Sequence, residues 1–451
     1  MKKALVAMMC VVLAGCGVHS IYDRSYVSNA VGDRTGHSLR TEDKTGTLKL
    51  PENITLSDGL TEDEAVAIAL WNNAQFQADL AELGFARADL LDAGLLRNPV
   101  LSFLFPLGPK QLEATLNLPV EVLWQRPKRV AVAKLNVERV AENLVQHGLN
   151  FTRDILTAYA DLLFARQRAG IMEEEAAFQK EIAAIASSRL KVGDISELEE
   201  TAFRLEAAQA AEASVRSARD AQISEDRFKT LLGIAMDQVA LLLSPSPIGR
   251  ERHDKPSDLV AVAFASRPVL RAAELGLEAA GKRLGWERSK VFNLIATLDA
   301  NGEGKEGFEM GPGFQLELPV LNQNQGKISR AQEELKQAAH QYTAIKHQIA
   351  REVLEAAGHC QAAQQSLKIL RSEILPAART AVKNAEQAYS LGAISYLELL
   401  NFKRQLSNAR LRDTEAEAEL RKAEANLKHS TGFKPLEQNE KGDADVHPRL
   451  P

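Results

Sequence analysis

Lys191-Val192-Gly193-Asp194-Ile195-Ser196-Glu197-Leu198-Glu199 returns further along the chain as Ser390-Leu391-Gly392-Ala393-Ile394-Ser395-Tyr396-Leu397-Glu398. Each copy sets a glycine, an Ile-Ser pair and a Leu-(Glu) step between two helix-forming stretches. Glycine supplies the left-handed backbone with which a chain leaves a helix and reverses. Serine can then cap the returning helix. Three further matches keep the same order and nearly the same offset. Ala65–Leu70 pairs with Ala261–Ala265, Leu118-Pro119-Val120 with Leu318-Pro319-Val320, and Leu232-Gly233 with Thr431-Gly432. The chain is therefore one unit used twice, over 56–233 and 257–432, with a linker over 234–256 that holds Pro245, Pro247 and Pro256.

Within each copy the pattern reads helix, two short strands, a very long helix, the glycine turn, and another helix. Thr61 with Glu64, and Ser257 with Asp258, signal the first helix of each copy. In the first copy that helix runs from Glu62 to Leu96, where Asn98-Pro99 stops it. Strands follow over Val100–Phe105 and Gln111–Leu118, around the turn-forming Pro106-Leu107-Gly108-Pro109. Their counterparts are Val291–Ala300 and Phe308–Leu318, joined through Gly302, Gly304 and Gly307. Phe314, Leu316 and Leu318 alternate with Gln315 and Glu317, as in a wall with lipid on one side and water on the other. The long helices, Lys128–Leu190 and Lys327–Tyr389, are rich in alanine and in charged residues. About 60 residues at 1.5 Å each make a rod of roughly 90 Å.

The start of the chain has its own signature. Lys2 and Lys3 precede an apolar run, Ala4–Leu13, too short to span a bilayer as a helix, which reads as a signal peptide over residues 1–15. Leu13-Ala14-Gly15-Cys16 resembles a bacterial lipobox, so Cys16 is the expected lipidation site and residues 16–55 a polar tether. Gly17 after the cysteine, by resemblance to such lipoproteins, implies the outer membrane. Once Cys10 leaves with the signal and Cys16 is acylated, Cys360 stands alone and no intramolecular disulfide is possible. Residues 433–451 read as a disordered tail.

Composition excludes several classes of function. Of 451 residues 45% are hydrophobic and 25% charged, and the net charge of -5 offers no basic field for nucleic acid. No phosphate loop, nucleophile elbow, metal-ligand cluster or catalytic carboxylate pair is present, so neither an enzyme nor a cofactor is expected. His340, His347 and His359 on one long helix lack partners at ligand spacing and read as surface or seam histidines. Any membrane crossing must use strands, and four strands cannot close a barrel without leaving backbone groups unpaired in lipid. Two copies of the chain would supply eight strands and three copies twelve; sequence does not choose between them.

The lipobox, the duplicated layout and the paired glycine turns together resemble the TolC-like outer-membrane factor family over residues 55–432. That resemblance implies a mainly α fold with a small transmembrane β part: a helical tunnel, and four strands per chain in a twelve-stranded barrel of a homotrimer. It implies an exit duct for efflux from the Gram-negative periplasm, lipid-anchored in the outer membrane through acyl chains such as palmitate. Its partners would be a periplasmic adaptor and an inner-membrane pump. The family's docking loops fall on Val192, Gly193, Asp194, Leu391, Gly392 and Ala393. Its gate falls on Glu398, Asn401, Tyr389 and Glu199, although the basic partner expected two residues after the second tip glycine is Ile394. The segment Trp124-Gln125-Arg126-Pro127-Lys128-Arg129 resembles the basic strand-to-helix junction of the family's heavy-metal branch. A type I secretion duct and a non-transporting coiled-coil scaffold lipoprotein are the alternatives; a scaffold has no need of four amphipathic strands.

Overall fold

The computed structural model describes residues 18–40, 49–51, 54–55, 59–105, 112–234, 241–248, 255–304 and 307–433. Cys16, the signal peptide, the turn at 106–109 and the tail after Phe433 lie outside the described residues. The elements follow the expected order. They are α1 (Arg24–Thr35), α2 (Glu62–Asn72), α3 (Ala74–Asp79), α4 (Ala81–Gly94), β1 (Val100–Leu104), β2 (Glu113–Pro119), α5 (Val122–Lys191) and α6 (Glu197–Leu232). Then come α7 (Pro256–Ser266), α8 (Pro268–Ser289), β3 (Asn293–Gly304), β4 (Gly307–Glu317), α9 (Gln325–Ile369), a π-helical turn (Leu370–Ile374), α10 (Leu375–Ser390) and α11 (Tyr396–Ser430).

Contacts divide the chain into two compact units, and each unit draws on both sequence repeats. The first holds residues 1–28, 75–147 and 267–349; the second holds 29–74, 148–266 and 350–451. In the first unit the strands form one antiparallel sheet in the order β1-β2-β3-β4. No described helix is long and apolar enough to cross a membrane.

Several boundaries differ from the sequence reading, each for a local reason. The helix expected over Glu62–Leu96 is broken at Asn73, which is extended (φ -66, ψ 116) and donates its side-chain amide to Leu231 O at 3.0 Å. The second repeat breaks at the matching place: Arg267 is extended because Pro268 follows it and excludes the helical conformation there. Thr61 and Glu64 form the expected capping box. Ser257 caps nothing, because Pro256 takes the first helical position and the Ser257 hydroxyl turns to Asp258.

The first long helix begins at Val122, so Trp124–Arg129 lies in its opening turns and Pro127 inside it. The second is interrupted. Proline at 376 has no N–H to continue the ladder, and the chain answers with a π turn in which Leu375 N–H bonds Leu370 O. The expected tether contains α1, whose Val27 and Val31 are fully buried. The linker contains Leu243, which bridges to Leu60 in parallel; Leu60 N donates to Leu242 O at 2.8 Å and Ser244 N to Leu60 O at 2.9 Å.

In the second unit the core centres on Tyr159, fully buried, with its ring edge-on to Phe228 and its hydroxyl donating to Leu60 O at 2.8 Å. Burial, the largest influence, pushes the Tyr159 hydroxyl well above the usual phenol range. Cys360 is in no disulfide among the described residues and is buried in an apolar cluster with Leu367, Leu370 and Leu420.

Candidate functional site

The sheet separates oil from water rung by rung. Register aligns Leu101, Leu116, Leu298 and Pro312 across the four strands, and next to them Phe103, Ala114, Ala300 and Met310. A third apolar rung joins Leu118, Ala296 and Phe314. The rungs between them point to the other face because strand side chains alternate. These carry Ser102, Thr115, Asp299 and Gly311, then Asn117, Thr297 and Gly313, then Glu113, Asn301 and Glu309. Thr115 donates to Asp299 at 2.8 Å and Thr297 to Asn117 at 3.2 Å, so the polar face is a bonded network. Val100 and Leu104 of β1, Pro119 of β2 and Ile295 of β3 are the apolar exceptions on it.

Phe103, Met310 and Phe314 stay exposed at 55%, 62% and 76%, although each is of a kind that water drives inward. Their rungs cover the face opposite the polar network. Among the described residues, strands β1 and β4 each pair on one side only, so the sheet is open at both edges there. An apolar outer face, a polar inner face and two unsatisfied edges are the properties of a segment cut from a larger barrel.

The second candidate region is the pair of glycine turns, both in the second unit. Gly193 (φ 76) donates to Leu190 O at 3.0 Å and Asp194 N to Arg189 O at 2.9 Å. Gly392 (φ 71) donates to Tyr389 O at 3.0 Å and Ala393 N to Ala388 O at 2.8 Å. Both are Schellman caps, in which a left-handed glycine satisfies the last helical carbonyls. Open space surrounds a Cβ built at either position. Ser196 with Glu199, and Ser395 with Glu398, close full capping boxes at the start of the returning helices. The shared serine and glutamate of the two copies are thus explained by capping, without appeal to a partner. The exposed apolar residues are not: Val192 is 79% exposed, Leu391 83% and Leu198 80%.

Two of the expected gate residues, Glu398 and Glu199, cap their own helices in the structure. Glu398 accepts from Ser395 N at 2.8 Å, and Glu199 from Ser196 N at 2.8 Å. The latter bond, more than any other influence, holds the exposed Glu199 carboxyl below its ordinary range. Tyr389 stacks on Tyr396 at 5.4 Å, and Tyr396 meets Phe203 edge-on at 6.5 Å. Asn401 is exposed one turn along α11 from Glu398. The sequence reading missed Arg189. Its guanidinium pairs with Asp194 at 2.7 Å and lies within the electrostatic reach of both Tyr389 and Glu199. Arg189 thus brings a basic group from the first turn within reach of Tyr389, where the second turn has Ile394; its place two residues before Lys191 gave no sign of this.

His340, His347 and His359 are all exposed, and among the described residues no group of histidine, cysteine and carboxylate side chains is arranged to hold a metal ion.

Residues 259–433 match the family model described as outer membrane efflux protein. Over 372 residues the chain is 26% identical to the cobalt-zinc-cadmium resistance protein CzcC of Cupriavidus metallidurans, covering 78% of this chain and 85% of that protein. It is 25% identical over 329 residues to the outer membrane efflux protein BepC of Brucella suis, covering 68% and 69%. Among solved structures, the outer-membrane channel OprN superposes with a TM-score of 0.70 at 20% identity, over 88% of this chain and 99% of the channel.

Proposed function

We propose that this chain, a member of the TolC-like outer membrane efflux protein family, works as a homotrimeric exit duct whose three sheets close into one twelve-stranded barrel. It is an outer-membrane efflux channel by family. The observation that carries the trimer is the sheet: four strands, apolar on one face and hydrogen-bonded polar on the other, with both edges open. Cyclic repetition pairs β4 of one copy with β1 of the next and leaves no edge in lipid. Cys16 anchors each copy through covalent lipid.

Val192, Gly193, Asp194, Leu391, Gly392 and Ala393 dock the periplasmic adaptor, which joins the duct to an inner-membrane pump. The support for this is apolar exposure at Val192 and Leu391 on turns whose backbone is already satisfied. Tyr389, Glu199, Glu398 and Asn401 form the gate, with Arg189 as the cation that couples the first turn to Tyr389.

For the cargo we infer divalent metal cations. Glu113, Asp299, Glu309 and Glu317 lie on the polar face of the sheet, and no lysine or arginine among the described residues joins them. A lumen of that sign concentrates cations. The relative named for cobalt, zinc and cadmium resistance agrees, as does the basic junction at Trp124–Arg129.

The test is protein purified from outer membranes, examined by heat-dependent gel migration and in planar bilayers. A heat-dissociable trimer with discrete, cation-preferring conductance supports the duct; a monomer that never conducts overturns it in favour of a scaffold. Gly193→Trp is expected to abolish efflux at normal trimer levels, and retained efflux would sink the docking role of that turn.

A further inference from the structure

The helix ends next to the sheet carry a set of cations that includes the basic junction. Arg97, Arg126, Lys128, Arg129, Arg288 and Lys290 cluster there, all in the first unit. Two carboxylates that face them, Glu121 and Glu287, are buried at 3% and 6% exposure and already paired, with Arg97 at 3.3 Å and Lys290 at 2.6 Å. Asp92 is the exposed acid on α4 nearby. The balance is cationic at the surface.

This cluster is held in place. Arg126 donates to Gly94 O at 2.7 Å, and Arg129 to Ala93 O at 2.8 Å and Leu95 O at 2.7 Å, so both guanidinium groups finish the C-terminal end of α4. Lys128 reaches Gly285 O at 3.4 Å and Trp124 donates to Ser289 O at 3.2 Å, which seats the first turns of α5 against the last turns of α8. Lys290 sits 3.7 Å above the Trp286 ring. Lys128 and Arg288 remain exposed. Two tryptophans among cations, at the end of the sheet where β1 and β3 begin and β2 ends, have the composition of a membrane–water boundary.

The N-terminal segment reaches the same place. Val18 lies over Gly94, so closely that a Cβ on that glycine would come within 2.7 Å of it. Cys16, the proposed lipid carrier, is two residues from Val18 in sequence.

We propose that this collar binds anionic phospholipid headgroups of the periplasmic leaflet, with Lys128 and Arg288 as the contacting cations and Arg126 and Arg129 as positioning residues. The proposal rests on the reading that the strands lie in the outer membrane. A cation near an anionic membrane surface gains about 1 kcal/mol, and two tryptophans fix the depth at which that gain is realised.

The full-length protein is reconstituted in vesicles of phosphatidylcholine alone and of phosphatidylcholine with phosphatidylglycerol, and the lipids kept on release are counted by native mass spectrometry. The parent should retain phosphatidylglycerol over phosphatidylcholine by roughly tenfold, and Lys128→Gln with Arg288→Gln should lose most of that preference. Arg216→Gln, which removes an exposed cation of the second unit, should keep it. Equal retention of both lipids by the parent, or an unchanged preference in the double variant, overturns the collar. Displacement of phosphatidylglycerol by inorganic phosphate at matched ionic strength assigns the cations to free phosphate and overturns the membrane role. Failure to insert into either vesicle overturns the strand reading itself, an outcome distinct from insertion without preference.

Discussion

Four glycines end four helices of the second unit with the same backbone, and two of them do something the other two do not. Gly193, Gly392, Gly233 and Gly432 have φ of 76, 71, 71 and 83, and each donates the same pair of cap hydrogen bonds together with the residue that follows it. Around Gly193 and Gly392 a Cβ would meet nothing. At Gly233 it would lie 2.4 Å from Asn72 O, and at Gly432 2.7 Å from Ser266 Oγ. The contacts fall on the helix break of each repeat, where Asn73 donates to Leu231 O and Ser266 to Thr431 O. One local motif is therefore a free turn when nothing abuts it, and a fastening when the start of its own repeat is pressed against it.

Substitution at the fastened pair should have the largest effect. Gly233→Ala combines left-handed strain with a clash against backbone that cannot rotate away, an expected loss of about 3 kcal/mol. Gly432→Ala meets a hydroxyl that can move at the cost of its bond to Thr431, and should lose less. Thermal unfolding in detergent at one scan rate measures both. Equal, small losses at Gly233 and Gly193 would break the distinction between fastening and turn.

The ion pairs beside these caps sharpen the same contrast. About two turns before Gly233, Glu225 accepts from Arg166 at 2.7 Å and pairs with Lys229 at 2.9 Å, with side-chain exposures of 17%, 31% and 8%. Burial is the largest influence on Glu225 and pushes its carboxyl up; the bonds from Arg166 and Lys229 outweigh it, so the net shift is down. A lowered folded-state value means stability that is present above the unfolded value, about 4.3, and lost as pH falls through the folded one. Glu225→Gln should cost about 2 kcal/mol at neutral pH by leaving Lys229 unpaired, and should flatten the acid side of the stability profile. Arg189–Asp194 at the tip is about half exposed on both sides. Breaking it with Asp194→Asn should leave thermal stability nearly unchanged, because solvent screens so exposed a pair. A parent and a Glu225 variant with the same acid profile would refute the contribution of this buried pair.

How much of this was legible follows from which interactions are local. The glycine turns, the serine caps and the order of strands could be read because each depends on residues a few positions apart. The division into two units could not, since each unit assembles segments of both repeats and sequence marks only where a repeat begins. Nor could the fastening at Gly233: its glycine was visible as the end of a repeat, but Asn72 lies far away in sequence. The break at Asn73 was hidden because the apolar pattern runs through it, and its counterpart before Pro268 was passed over although a proline there disfavours helix in the residue ahead of it. At the tips, Arg189 was missed because it acts across two turns, and Glu398 was read as a gate group when its nearest task is to cap its own helix.

At the free pair the expected stability effects are smaller and the functional ones larger. Gly193→Ala should cost about 1 kcal/mol, the strain of a left-handed alanine alone, because its methyl would enter open space. Glu398→Ala removes one member of a capping box and should cost less, about 0.5 kcal/mol. These two variants also separate cap from gate. If the Glu398 carboxylate acts only within its box, Glu398→Gln, which keeps an acceptor for Ser395, should restore both stability and the cation block of the channel. If three copies of Glu398 also ring the opening, Gln restores stability and leaves conductance as insensitive to blocking cations as in the alanine variant. Single-channel recording of the pair decides this, since a neutral amide replaces the hydrogen bond but not the charge that a ring would present to a passing ion.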